Sequence, residues 1–149
     1  MIGNHAIALT IGAALAGAAA VAGAQTVQPV SVWSGVYTAA QNKRGEELHA
    51  DACSMCHGPR LNGAGQSEMP PSPAIAGATF LRKWSGQSVA ALFVIVRHTM
   101  PPDSPGTITD QQSVDAIAHM LAVSGMPAGN RELPPDPGAL ANILIEAKP

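Results

Sequence analysis

Apolar and small positions recur at helical spacing in several stretches of the chain, and clusters of Gly and Pro separate them. Over Thr38 to Ala52, the positions Gln41, Gly45, Leu48, His49 and Ala52 share one side of a helix. Gly45 costs about 1 kcal/mol relative to Ala in a helix interior, so it marks a close approach by another backbone. Gly58 to Ala78 is loop, punctuated by Gly58-Pro59, Asn62-Gly63, Gly65, Pro70-Pro71, Pro73 and Gly77. A loop of that kind can wrap a flat ligand. A short helical turn is expected over Thr79 to Trp84. Ser88 then caps a helix to about Arg97 with Val89, Leu92, Phe93 and Val96 on one face, ended by Met100-Pro101-Pro102. Thr109 and Gln112 form a capping box before the last major helix, whose stripe is Val114, Ile117, Ala118, Leu121 and Ala122. Gly125 stops it. Met126 to Pro137 reads as an irregular Pro-rich strap, and Gly138 to Ala147 predicts a short amphipathic helix. Gln25 to Ser34 is an extended lead-in. With no strand-like alternation, no internal repeat and no second domain, the pattern predicts an all-α fold of three to five helices joined by long loops.

The first stretch stands apart. Ala6 to Ala22 is an uncharged run of Ala, Ile, Leu, Val, Gly and Thr, and Ala22-Gly23-Ala24 has the small-x-small form of a signal-peptidase site. Residues 1–24 are therefore expected to be a signal peptide cut before Gln25. The n-region departs from the pattern, with His5 and the terminal amine but no Lys or Arg, and an uncleaved anchor is the alternative. Removing the segment leaves about 125 residues, the size of one compact domain, 25–149. The formal charge of −2 comes entirely from that domain, and nothing in it suggests a nucleic-acid partner.

Charged residues make up 12% of the chain and aromatic residues 3%. That is a thin supply of large side chains for a dense core, and a buried macrocycle would fill the gap. The only two cysteines lie in Cys53-Ser54-Met55-Cys56-His57. A disulfide across C-x-x-C closes a tiny loop with little entropic benefit. A redox pair expects a βαβ context, which is missing, and a zinc site expects two further ligands. C-x-x-C-H behind an export signal instead carries haem attachment: two thiols add across the porphyrin vinyl groups, and His57 ligates the iron from one face.

The opposite axial position needs another residue, and a thioether is the usual choice in electron-transfer haems. Met100 is the candidate, because the prolines after it stiffen the loop that holds its sulfur. Met55 lies inside the motif and cannot reach the far face, Met69 in the wrapping loop is the rival, and Met120 and Met126 read as packing or surface residues. His98 reads as a helix-end histidine facing solvent. His49 and His119 read as packing or surface residues.

Together these residues resemble a class I c-type cytochrome, and specifically the small periplasmic monohaem cytochromes associated with quinoprotein dehydrogenases. The resemblance rests on Val32-Trp33-Ser34-Gly35-Val36-Tyr37, Lys43-Arg44-Gly45, the C-x-x-C-H-G run and Thr99-Met100-Pro101-Pro102-Asp103. It implies that the Thr38 to Ala52 and Gln111 to Ser124 helices cross near Gly45, with one covalent haem c between Cys56 and Met100. It also implies that the Pro73 carbonyl accepts a hydrogen bond from His57, and that Trp84 and Arg97 approach a propionate. His49 and His119 depart from it, standing where aromatic rings usually pack, so they either stack or turn outward and the crossing is expected to be weaker. Val94 and Ile95 also depart, since they make that helix apolar all round. They predict either a docking patch or a core contact under the strap.

The implied function is periplasmic one-electron transfer between redox partners, a dehydrogenase donor and an oxidase or cytochrome acceptor. The chain would act as a monomer or as a subunit of a redox complex, with no membrane contact after signal cleavage and no catalysis of its own. The alternatives are a haem sensor or small-gas binder with a weak sixth ligand, and an electron-transfer subunit of a dehydrogenase or oxidase. No paired carboxylates or nucleophile–base set argue for an enzyme.

Overall fold

The computed structural model describes residues 28–69 and 71–149. The expected signal segment, its cleavage point and His5 lie outside the described residues. The fold runs β1 (Val30–Ser31), a 3₁₀ turn (Val32–Ser34), α1 (Ala39–Leu48), a π-helical turn (His49–Cys53), α2 (Ser54–His57), α3 (Gly77–Trp84), α4 (Val89–Thr99), α5 (Asp110–Val123), α6 (Pro137–Leu140) and β2 (Ile143–Leu144). No described helix is long and apolar enough to cross a membrane.

The helix ends follow local chemistry. The Thr38 hydroxyl accepts from the Gln41 amide at 3.1 Å to start α1, and the Ser88 hydroxyl accepts from the Ala91 amide at 3.3 Å to start α4. At α5 the Gln112 amide donates to Thr109 Oγ1 at 3.2 Å while the Thr109 amide donates to Gln112 Oε1 at 2.8 Å. Gly125, at φ +90°, ends that helix in the left-handed region.

α1 and α5 cross with almost no gap. A Cβ on Gly45 would lie 1.9 Å from the Asp115 carbonyl oxygen and 2.9 Å from His119 Cβ, so only hydrogen fits. Arg44 clamps the same crossing, donating from Nε and Nη2 to the two Asp115 oxygens, each at 2.9 Å. Its Nη1 and Nη2 also donate to Glu132 at 3.0 and 2.8 Å, which ties the C-terminal strap to both helices.

The strap is irregular yet anchored by buried polar contacts. The Tyr37 hydroxyl donates to the Met126 carbonyl at 2.6 Å, and Gln41, wholly buried on α1, pairs with both backbone groups of Leu133. Gln41 Nε2 donates to the Leu133 carbonyl at 3.0 Å, and Oε1 accepts from the Leu133 amide at 2.8 Å. Replacing Gln41 by Leu leaves a buried N–H and C=O unpaired, at ~1–3 kcal/mol each before relaxation. We expect Gln41→Leu to lose about 2 kcal/mol of unfolding free energy and to speed hydrogen exchange at the Leu133 amide. Unchanged protection there would mean that the strap is held by other contacts.

Three local features differ from the sequence expectation. The first helix does not run evenly to Ala52: it widens into the π-helical turn, within which His49 is buried, and Leu48, His49 and Ala52 all border the crevice described below. The chain from 138 to 147 is not one helix. Asp136 caps the single turn of α6, its Oδ1 accepting from the Ala139 amide at 2.7 Å, and β2 follows. Ile143 and Leu144 pair in parallel with Val30 and Ser31, a long-range contact that overrides weak helix propensity. The strands, absent from the sequence reading, are two residues each and too short to alternate. Ile145 extends the tie, exchanging hydrogen bonds of 2.8 and 2.9 Å with Gly86 and Gln87.

The core joins Val32, Tyr37, Leu61, Phe80, the inner faces of α4 and α5, Leu133, Leu140 and Ile145. This core fixes the walls of a crevice on one side of the α1–α5 crossing.

Candidate haem site

α2 is one turn long and carries Cys53-x-x-Cys56-His57 at its ends, so the thiols stand about a turn apart and the imidazole follows. The loop after it folds back over the motif. The Gly63 amide donates to the His57 carbonyl at 2.9 Å and the Gln66 amide to the Met55 carbonyl at 2.9 Å. Gly65 packs so closely that a Cβ would lie 2.4 Å from both the Met55 and Cys56 carbonyl oxygens. Leu61, buried at φ +54°, turns its carbonyl to accept from Ile75 and Ala76 at 2.8 and 3.2 Å, which sets the position of Pro73.

His57 Nδ1 donates to the Pro73 carbonyl at 3.0 Å. A proton held on Nδ1 leaves the lone pair on Nε2, the atom free to bind a metal. Burial, and then Cys56, pushes the Cys53 thiol up from its ordinary range. The two thiols are free of each other.

One crevice, open to solvent on one side, gathers Cys53, Cys56, His57, Pro73, Trp84 and Met100. Its walls are mostly apolar: Leu48 and Ala52 on one side, Leu92, Ile95 and Val96 from α4, Pro101, Pro102 and Ile108 beyond it, and Ala116 with Met120 from α5. Met69 does not border it. The donor set fits a covalently held haem: two thiols, an oriented imidazole, a thioether and an apolar slot.

Arg97 does not border the crevice. Its Nε pairs with Asp110 Oδ1 and its Nη1 donates to the Gly106 carbonyl at 2.9 Å, bracing the loop between α4 and α5. The propionate contact expected of Arg97 stays an expectation of the resemblance, while its guanidinium pairs with a carboxylate thirteen residues on. Sequence reasoning overlooked Lys83, whose neighbour Trp84 was singled out; Met120, read as a packing or surface residue, is buried and borders the crevice. Val94 and Ile95 are 49% and 42% exposed, so neither is a core contact under the strap; Ile95 borders the crevice.

His49 and His119 face each other in a tilted ring contact rather than turning outward, with ring centroids 5.6 Å apart and planes at 44°. His49 Nε2 lies 2.9 Å from the Gly58 carbonyl and His119 Nδ1 lies 2.9 Å from Asn42 Oδ1, so each ring has a partner. Burial holds both below the ordinary imidazole range; His57 adds to this at His49, and His49 adds to it at His119.

The sign of the pH effect follows. As pH falls below the ordinary value of 6.5, the unfolded chain takes up protons first, so stability drops until the folded-state values are reached. Above 6.5 the contribution is constant. We expect the thermal midpoint to fall from pH 7.5 to pH 5.5, with His119→Phe flattening that slope. Glu132, held low by Arg44, gives an acid loss only below its ordinary 4.5, in a separate window. An unchanged slope in His119→Phe would assign the effect to other groups.

A helical chain wrapped around an apolar slot, lined by C-x-x-C-H and a methionine thioether, defines a c-type cytochrome domain. The chain belongs to the family described as cytochrome c oxidase, cbb3-type, subunit III, which matches residues 40–120. Its fold is the all-α cytochrome c fold, and membership of this family supports electron transfer through haem c. Among solved structures, it is similar to a chain of the sulfane dehydrogenase SoxCD from Paracoccus pantotrophus, at 17% identity and a TM-score of 0.46, covering 74% of this chain and 54% of that one. The chain thus spans about half the length of that relative. Comparison with curated proteins returns no match.

Proposed function

We propose that this protein is a periplasmic one-electron carrier holding one haem c through Cys53 and Cys56, with His57 and Met100 as axial ligands. The observation that carries the reading is the convergence of both thiols, the His57 ring and Met100 on one apolar crevice. When bound, the haem supplies a one-electron couple that needs no change of ligands. The chain's own residues do the rest. The Pro73 carbonyl holds the His57 proton on Nδ1, which fixes the ring and raises its basicity. Leu92, Ile95, Val96 and Ile108 exclude water, and the prolines after Met100 limit how far its sulfur can swing.

The uncharged, small-residue N-terminal run supports export, since covalent haem attachment of this type takes place outside the cytoplasmic membrane. Family membership favours a second, compatible reading: service as the electron-transfer subunit of an oxidase or dehydrogenase complex, with redox proteins as partners.

The test is the purified protein from the periplasmic fraction. We expect a haem that acid–acetone cannot extract, a Met–Fe(III) charge-transfer band, and slow carbon monoxide binding after reduction. Rapid carbon monoxide binding would instead make the chain a sensor or gas binder, and extractable haem would remove the covalent assignment.

A further inference from the structure

Haem carries two carboxylates, and an anion beside an apolar slot is costly unless a cation meets it. The crevice walls offer one such group. Lys83, in the last turn of α3, is the single Lys or Arg among the described residues that border the crevice. The other cations near this side are engaged elsewhere: Arg97 with Asp110 and the Gly106 carbonyl, and Arg82 with the Thr79 hydroxyl. Among the described residues no carboxylate pairs with Lys83. Its ammonium instead lies 5.9 Å from the centre of the Trp84 ring, and that ring borders the same crevice. The cation–π contact favours placement of the charge beside the Trp84 ring, on the rim of the crevice.

Resting on the haem reading above, we propose that Lys83 is the counter-charge for a haem propionate and, through it, a positioning residue that tunes the reduction potential. A cation beside an ionised propionate offsets the negative field at the iron. An unopposed propionate favours the ferric state, which carries one more positive charge, and the cation cancels part of that preference. Removing the cation therefore lowers the potential. Because Lys83 is exposed, salt screens the effect.

The experiment compares wild type with Lys83→Gln, Lys83→Arg and Lys43→Gln by spectroelectrochemical titration at low ionic strength and again at about 1 M salt, where the Debye length is about 3 Å. Lys43 lies on α1, 3.4 Å from Glu47 and outside the crevice, so its variant carries the same change in net charge. The expected result is a lower midpoint potential in Lys83→Gln at low salt, a difference at least halved at high salt, and recovery in Lys83→Arg. The downward shift in Lys43→Gln is smaller. The proposal is overturned if Lys83→Gln matches Lys43→Gln, or if Lys83→Arg shifts as far as Lys83→Gln, because the side chain would then act through packing on Trp84. Haem content and the Met–Fe(III) band are read in every sample. Their loss in wild type counts against the haem reading itself and is thereby distinguished from failure at Lys83.

Discussion

Gly45→Ala is expected to destabilise the protein by about 3 kcal/mol or more, the upper end of the usual ~1–3 kcal/mol for overpacking. The added methyl would sit 1.9 Å from the Asp115 carbonyl oxygen and 2.6 Å from its carbon, and both are backbone atoms of a buried helix. A side chain could swing aside, but a peptide unit cannot move without its helix. Ala is the better helix former by about 1 kcal/mol, and that gain is too small to offset the clash. For a domain of this size, the loss corresponds to roughly 10 °C in thermal midpoint. The displacement also reaches the site. α1 runs into the turn that carries Cys53, while α5 supplies Ala116, His119 and Met120 to the crevice. We therefore expect weakened Met ligation in the ferric spectrum at temperatures well below unfolding. A thermal midpoint within 2 °C of wild type would show that the helices can separate freely.

The prominence of Gly45 was legible because a glycine inside a helical stripe has few explanations, and close backbone approach is the commonest. The Thr109 capping box and the Gly125 stop were legible for a similar reason: each satisfies orphan backbone groups within a few residues. The attachment motif and the apolar faces of α4 and α5 belong to the same local class of signal.

Features that depend on distant partners were not visible. Gln41 appeared only as a position on a helix side, yet it satisfies the backbone of Leu133, ninety-two residues away. Nothing near residue 41 encodes that pairing. The pairing of Arg97 with Asp110 was not foreseen either; local spacing does not reveal which of several acids an arginine will meet. The π-helical turn at His49–Cys53 is another case, because one additional residue in the ladder changes no residue type and leaves no mark in the hydrophobic period. The paired strands at the termini arise only when Val30 and Ile143 are brought together by the intervening domain.

The second large effect concerns Met100. Replacing it by Ala removes the thioether at the end of α4 while leaving the attachment turn, the His57–Pro73 hydrogen bond and the α1–α5 crossing untouched. We expect Met100→Ala to retain covalently bound haem, lose the Met–Fe(III) band, and bind carbon monoxide rapidly when reduced. Its potential should fall by on the order of 100 mV, a modest part of the ~0.8 V that axial ligands span. Two other thioethers sharpen the test. Met120 borders the same crevice but is buried on α5 beside Ala118 and Leu121, where it has the surroundings of a packing residue. Met69 lies in the wrapping loop outside the crevice. Met120→Leu and Met69→Leu should therefore keep the band, with Met120→Leu costing at most about 1.5 kcal/mol for a nearly isosteric exchange. If Met120→Leu abolishes the band and Met100→Ala retains it, the axial ligand comes from α5, and the Pro-stiffened loop serves only to close the crevice.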